Sequence, residues 1–156
     1  IEDDGTRARI VCGTLWGRTG PVEGIAVDPV YLDVSVPSGK RRTLPVEIAR
    51  NAFAYVFAGS GKFCNASAPL EVPTEPVGWW DTTLPHAAEN RSLVLFDAGN
   101  EVSVQAGEDG IRFLLVSGKP IREPVAWYGP IVMNTQEELQ QAFQELRQGT
   151  FLNRKL

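Results

Sequence analysis

The chain has 156 residues, a formal net charge of −4 and a sequence pI of about 5.0. This length suits one domain with a substantial core, and the acidic balance argues against sequence-independent binding to nucleic acid. The chain has no apolar run near the ~20 residues that cross a bilayer, and its acidic first residues argue against a secretory signal.

Several short segments alternate apolar and polar residues, which predicts half-buried strands. They are Arg7 to Cys12, Val30 to Val36, and the stretch containing Leu44, Val46 and Ile48. Cys12 ends an apolar run, so we expect a buried thiol. Lys40-Arg41-Arg42 is interpreted as a solvated turn. Ala52 to Ala58 is continuously apolar and predicts a central strand buried on both faces.

Glycines and prolines punctuate the rest of this region. We expect turns at Gly59-Ser60-Gly61 and at residues 107–110, with further strands at Ser92 to Phe96, Asn100 to Ala106 and Ile111 to Val116. This pattern of nine to eleven short strands predicts a β-sandwich or jelly roll. No helices alternate with the predicted strands, which excludes a doubly wound parallel sheet.

Residues 119–134 are predicted to be an extended segment. Pro120, Pro124 and Pro130 each remove a backbone donor and restrict the preceding residue. The segment also carries large apolar side chains, including Trp127 and Tyr128, which a solvated linker would not need. We therefore expect it to lie against the body of the domain or against a partner.

Residues 135–148 are predicted to form the single clear helix. Thr135 or Asn134 can cap its start, and Glu138 stands at the capping-box spacing from Thr135. Gly149 suits its end. The apolar stripe that it should pack consists of Leu139, Ala142, Phe143 and Leu146.

Two runs around this helix resemble a known family. They are Gly118-Lys119-Pro120-Ile121-Arg122-Glu123-Pro124 and Tyr128-Gly129-Pro130-Ile131-Val132-Met133-Asn134-Thr135, followed by Glu137-Glu138. Their order resembles the C-terminal half of pirin proteins, and the likeness extends upstream through Tyr31-Leu32-Asp33-Val34. The resemblance implies an all-β fold: a cupin-type double-stranded β-helix, or jelly-roll barrel, with one C-terminal α-helix. We interpret residues 1–156 as one such domain, with residues 1–6 as a linker remnant.

The resemblance also bears on metal binding. Pirins resemble two barrels in tandem, and the first holds iron through histidines and a carboxylate. This chain has one histidine, His86, and Thr43, Pro45 and Val46 stand where paired histidine ligands would be expected. We therefore predict no catalytic residues, no metal and no cofactor in this chain, with iron implied for an N-terminal half.

Two groups of residues are candidates for contact. Pro124, Trp127, Tyr128, Gly129 and Pro130 form the predicted inter-domain or partner surface, because Trp and Tyr are enriched at interfaces. Trp79, Trp80 and His86 are weaker pocket candidates, and core packing or a surface histidine is the competing interpretation.

The leading functional prediction is a metal-free, non-catalytic barrel that supports a metal-bearing N-terminal cupin half and forms part of the inter-domain surface. One alternative is that the chain is part of an iron-dependent quercetin 2,3-dioxygenase-like pirin. Another is a partner-binding module of a transcription cofactor. We expect no direct nucleic-acid or membrane partner and leave a homo-oligomer open. The expected compartment is the cytoplasm, with the nucleus as the alternative that the resemblance implies.

Overall fold

The computed structural model describes residues 2–64, 70–73 and 87–152 and falls into two units, Ile1–Pro120 and Ile121–Leu156. The first unit is built from antiparallel strands. Their bounds are β1 (Glu2–Asp3), β2 (Thr6–Cys12), β3 (Thr14–Leu15), β4 (Arg18–Thr19), β5 (Val30–Val36), β6 (Arg41–Pro45), β7 (Asn51–Cys64), β8 (Leu70–Pro73), β9 (Ala88–Glu89), β10 (Ser92–Phe96) and β11 (Glu101–Gly118).

One sheet contains nine of these strands, in the order β1-β2-β5-β11-β7-β10-β8, with β6 paired to β11 and β9 paired to β7. The long strands β7 and β11 pair antiparallel from Ser103↔Cys64 to Gly118↔Asn51. They form the central pair of the sheet, and the other strands pair outward from them. The small hairpin of β3 and β4 forms its own two-stranded sheet.

The predicted turns at Gly59-Ser60-Gly61 and at residues 107–110 are wrong, because both stretches lie inside the long strands. The register moves from Ala106↔Gly61 to Ile111↔Gly59, so β11 carries extra residues at a bulge. Gly59 has a φ of 68°, and a side chain there would clash with the carbonyl oxygen of Gly110. These glycines therefore serve close backbone approach at a bend rather than a chain reversal.

The strand predicted around Leu44, Val46 and Ile48 also needs correction. β6 ends at Pro45, and residues 48–50 form a turn in which the Arg50 amide bonds the Glu47 carbonyl at 3.0 Å. Ile48 is 67% exposed, so it does not share the buried side of Leu44. Lys40-Arg41-Arg42 is likewise not a solvated turn: Arg42 lies in β6, with its guanidinium 4.4 Å from the centre of the Trp16 ring.

Buried apolar side chains from the strands fill the interior described for the first unit. Phe63 makes edge contacts with Phe96 and Phe113, with ring centres 5.4 Å and 5.3 Å apart. The predicted burial of Cys12 is confirmed. The largest fully buried apolar side chains are Phe113, Leu15, Leu32, Leu44, Leu115, Val34, Val36, Val56, Val94 and Val104.

The predicted burial of Ala52 to Ala58 on both faces is only half correct. Ala54 and Val56 face the core and are fully buried. Phe53, on the opposite face, is 36% exposed. The sheet therefore buries one side of β7 and leaves large apolar groups on the other.

The second unit contains β12 (Ala126–Tyr128), β13 (Ile131–Met133) and α1 (Gln136–Gln148). The predicted helix and its caps are confirmed. The Thr135 side chain accepts a bond from the Glu138 amide at 3.2 Å, and Glu138 bonds back to the Thr135 amide at 3.0 Å. Gly149 ends the helix with a φ of 73°. The predicted apolar stripe is only partly buried, because Leu146 remains about half exposed.

Among the residues that the structure describes, no helix is both long and apolar enough to span a bilayer.

Candidate functional site

The predicted contact residues lie on a β-hairpin that the sequence pattern did not reveal. β12 and β13 pair through Trp127↔Val132 and Tyr128↔Ile131, which leaves Gly129 and Pro130 as a two-residue turn. Gly129 has a φ of 56°, and the proline ring holds its own φ near −65°. A positive first angle followed by a negative second one is the pattern of a type II′ hairpin turn. The signal was present as two apolar triplets separated by Gly-Pro.

The two faces of this hairpin have different surroundings. Ala126 and Ile131 are buried against Leu139 and Ala142 of α1. Trp127 and Val132, which face each other across the strands, are 71% and 59% exposed. The hairpin therefore buries Ala126 and Ile131 against the helix and exposes the apolar pair Trp127 and Val132 to solvent. Here the name hairpin surface means Val125, Trp127, Tyr128 and Val132, all of which are exposed.

Both aromatic side chains of the hairpin surface are held in place. The Trp127 indole Nε1 donates to the Gly129 carbonyl at 2.7 Å. The Tyr128 ring meets the Phe143 ring edge-on, with centres 5.5 Å apart and planes at 65°. Ordered aromatic side chains lose little conformational entropy on binding, so this arrangement suits a contact surface.

The remaining predicted residues divide into two groups. Pro124, Gly129 and Pro130 are exposed, as a contact surface requires. The preceding segment is tied to the hairpin by a 2.8 Å bond from Asn134 Nδ2 to Glu123 Oε2. The pocket candidates Trp79, Trp80 and His86 lie outside the described residues.

The second unit has a very small core among its described residues. Four residues are buried, Ala126, Ile131, Leu139 and Ala142, and Met133 and Phe143 pack partly against them. An isolated two-stranded hairpin is marginal in water, and so is a helix of this length. The second unit therefore gains little stability by itself and exposes much of the apolar surface that it carries.

The residues at the expected metal-ligand positions do not fit a metal ion. The Thr43 hydroxyl lies across the strands from Ser103 and bonds its hydroxyl at 2.5 Å, and Val46 packs partly against the core. Neutral hydroxyls and an aliphatic side chain are poor ligands for iron, which prefers imidazole and carboxylate. Over residues 2–64, 70–73 and 87–152, no group of three or more His, Cys, Asp or Glu residues is placed to hold a metal.

Two networks of ion pairs shift pKa values in the first unit. Hydrogen bonding to Arg50 lowers the pKa of Asp28 and of Glu47, and Lys119 adds its charge near Asp28. A hydrogen bond from Arg112 lowers the pKa of Asp33. Each of these carboxylates is already bonded to a cation, which favours a structural role over proton transfer.

A pocket of about 260 Å³ lies beside the first of these networks. Cys12, Thr14, Thr19, Glu23 and Asp28 contribute to its lining. The Thr14 and Thr19 hydroxyls bond each other at 3.0 Å, and Asp28 is paired with Arg50. These polar groups satisfy one another, so the hairpin surface remains the better candidate for function.

Comparison with known proteins places these observations in a family. The pirin C-terminal cupin domain family matches residues 31–152. A pirin-like protein of Caulobacter vibrioides is 36% identical over 96% of this chain and 47% of its own length. A pirin-like protein of Arabidopsis thaliana is 34% identical over 95% of this chain and 45% of its own length. The chain thus spans about half the length of these relatives.

A crystal structure described as quercetin 2,3-dioxygenase from Acinetobacter baumannii has a similar fold, with a TM-score of 0.70. It is 23% identical, and the match covers 96% of this chain and 45% of that one. The family match and this structural likeness confirm the predicted all-β cupin-type barrel with one C-terminal helix.

Proposed function

The chain belongs to the pirin family as its C-terminal cupin domain, and on this premise we propose that it is the supporting half of a two-barrel protein. In this proposal the preceding N-terminal half holds the metal. The present domain holds none and docks on that half through the hairpin surface. The proposal is carried by one observation: Trp127, Tyr128 and Val132 are exposed on a unit in which only four of the described residues are buried.

The chemistry of the hairpin surface supports this role. Interface cores are enriched in aromatic residues such as Trp and Tyr and depleted in charge, and a few aromatic anchors supply most of the binding energy. Trp127 and Val132 form such an anchor pair. Pro124 and Pro130 restrict the backbone around them, which reduces the conformational entropy that would be lost on binding. Each relative continues for about as much chain again beyond the matched part, which supports a partner within the same protein.

Truncation of Trp127 tests whether the hairpin surface docks on the N-terminal half. Trp127→Ala should weaken association with a separately produced N-terminal half by about 2 kcal/mol or more, roughly thirtyfold in Kd, as loss of an aromatic hot spot does. Isothermal titration calorimetry measures the change. Ile48→Ala is the matched control, since it also shortens an exposed apolar side chain and lies on the other unit. Equal affinities for the two variants would remove the hairpin surface from the interface.

Metal content tests the other half of the proposal. After growth with added iron, elemental mass spectrometry of the purified 156-residue chain should find less than about a tenth of an iron per chain, because the described ligand positions carry hydroxyl and aliphatic groups. A value near one iron per chain would contradict the metal-free assignment. The same measurement on the full-length protein provides the positive control.

A second proposal concerns the activity of the full-length protein. A Thermoplasma acidophilum relative, 29% identical over 99% of this chain, is provisionally named as a quercetin 2,3-dioxygenase. We propose that the full-length protein acts on flavonols of this kind, with the chemistry in its N-terminal half. Oxygen consumption with quercetin should appear for the iron-loaded full-length protein and not for the 156-residue chain. Turnover by the chain alone would locate the reaction here instead.

A further inference from the structure

A second apolar surface crosses the outer side of the large sheet in the first unit. Phe53 of β7 pairs with Leu95 of β10 on one side and with Val116 of β11 on the other. Val116 in turn pairs with Tyr31 of β5. These four side chains form one row across four strands. Phe53 and Leu95 are 36% and 38% exposed.

A parallel row lies two residues along the strands. Tyr55 pairs with Leu93 of β10 and with Leu114 of β11. Successive side chains of a strand point to opposite faces, so both rows lie opposite the buried Ala54 and Val56. The name outer face here means the eight apolar residues Tyr31, Phe53, Tyr55, Phe57, Leu93, Leu95, Leu114 and Val116.

Charged groups lie at one edge of the outer face, where Asp33 of β5 pairs with Leu114. The Arg112 guanidinium lies 4.8 Å from the centre of the Phe57 ring. It also donates to both carboxylate oxygens of Asp33, at 2.9 Å and 2.6 Å. An apolar centre with a paired, charged margin is the usual anatomy of a protein interface.

The sequence of β7 indicates that this face is covered. A sheet with one solvated face alternates apolar and polar residues, whereas strands buried on both sides are apolar throughout. Residues 52–58 read Ala-Phe-Ala-Tyr-Val-Phe-Ala. Phe53 and Tyr55 lie on the outer side, and Phe57 contacts Arg112 at a register shift. Their partners Leu93, Leu95, Leu114 and Val116 follow the same rule on two other strands. This composition is typical of a packed face, yet the structure leaves it partly open.

We propose that the outer face packs against the N-terminal half of the full-length protein, as a second contact beside the hairpin surface. This inference rests on the proposed function, because it takes the same partner. The match covers 47% of a relative's length, so that relative carries a further segment of similar size, and the proposed function gives this chain the same neighbour. A tethered partner is present at millimolar effective concentration and needs little surface to stay bound. Eight side chains fall well short of the roughly 20–30 residues per side of a free-standing interface, which disfavours a second copy.

Cysteine labelling tests directly whether the outer face is covered in the full-length protein. Leu95→Cys and Val116→Cys place a thiol at two points of one row, and Ile48→Cys serves as the exposed control elsewhere on the first unit. Each variant is made in the 156-residue chain and in the full-length protein and is treated with a maleimide. Peptide mass spectrometry then separates the label from any on Cys12 or Cys64. Circular dichroism confirms that each variant is folded.

We expect Leu95→Cys and Val116→Cys to react at least roughly tenfold more slowly in the full-length protein than in the chain, since interface cores exclude solvent. Ile48→Cys should react equally in both. Equal rates at both outer-face positions would overturn the inference. Slow labelling of the isolated 156-residue chain at these positions would also overturn the inference. Slow labelling that does not depend on protein concentration would show that the chain's own second unit covers the outer face. Slow labelling that becomes stronger with concentration would show that a second copy covers it.

A parallel Trp127→Cys variant separates this inference from the proposed function. Protection of position 127 without protection of positions 95 and 116 would leave the docking proposal standing and remove the outer face from it. Protection at all three positions supports both contacts. Protection at neither surface would overturn both.

Discussion

At the residue scale, one buried guanidinium joins two segments of the first unit. The side chain of Arg50 is only 5% exposed. It bonds Asp28 Oδ2 at 2.7 Å, Glu47 Oε1 at 2.8 Å and the Asp28 carbonyl. Val27 and Asp28 both have positive φ, which is costly for a β-branched residue. Arg50 therefore holds a strained turn against the start of β7.

Arg50→Met should lower the free energy of unfolding at pH 7 by about 1.5–3 kcal/mol, the range for hydrogen bonds to charged groups. The folded pKa values of Asp28 and Glu47 lie below their ordinary 3.8 and 4.5 because of Arg50. The two carboxylates therefore contribute fully to the free energy of unfolding when the pH is above their ordinary pKa values. This contribution is lost as the pH falls through the lower pKa values of the folded protein. Urea unfolding from pH 7 to pH 3 should show the two proteins converging below about pH 4.

Asp28→Asn provides the control for that prediction. Asparagine tolerates positive φ, so this variant removes one charge while keeping the turn. It should lose less stability than Arg50→Met, because Glu47 and the residue 28 carbonyl still bond the guanidinium. A constant difference between wild type and Arg50→Met across the whole pH range would contradict the assignment to these carboxylates.

At the element scale, glycine allows the two long strands to pass each other at a bend. Gly59 and Gly39 both have left-handed backbone, with φ of 68° and 66°. A side chain at position 59 would clash with Gly110, whereas position 39 has open space around it. A substitution at either site therefore has the same conformational cost, but only the substitution at position 59 also produces a steric clash.

Gly59→Ala should therefore destabilise the fold by about 2–4 kcal/mol, and Gly39→Ala by about 1 kcal/mol, the cost of the left-handed conformation alone. Thermal and denaturant unfolding of the two variants measures the difference. Equal losses at both positions would show that the bend can relax and that close approach at Gly59 is not required.

This element also marks the limit of what the sequence predicts. The strand Val30–Val36 and the helix Gln136–Gln148 follow from local patterns, period two and a complete set of caps, and the structure has both. Whether Gly59 turns a chain or lets two strands approach depends on what lies opposite, which no local pattern encodes. The same holds for the hairpin at Trp127, where the prolines obscured two short paired strands. The candidate contact residues were chosen by composition, but the pairing was needed to show that Trp127 and Tyr128 lie on opposite faces of one hairpin.

At the scale of the whole molecule, the residues that the structure describes include two groups of exposed apolar side chains, one on each unit. The hairpin surface lies on the second unit and the outer face on the first, and each consists of ordered aromatic and aliphatic groups. Monomeric soluble proteins rarely leave such contiguous patches without a partner. Both proposals take the same partner, the N-terminal half of a full-length protein, and they therefore stand or fall in one set of experiments.

The amide exchange of α1 tests this account without any substitution. Four buried residues give α1 little support in the 156-residue chain, so its amides should exchange by local opening of low free energy. Docking of the N-terminal half should raise the protection of α1 at least roughly tenfold, because opening must then also break the interface. The amides that pair β6 with residues 101–105 of β11 serve as the internal control, since they lie outside both proposed contact surfaces. Hydrogen exchange measured by mass spectrometry gives both values in one experiment. If α1 were equally protected in the chain and in the full-length protein, its stability would come from within the chain, and the second unit would not be a docking element.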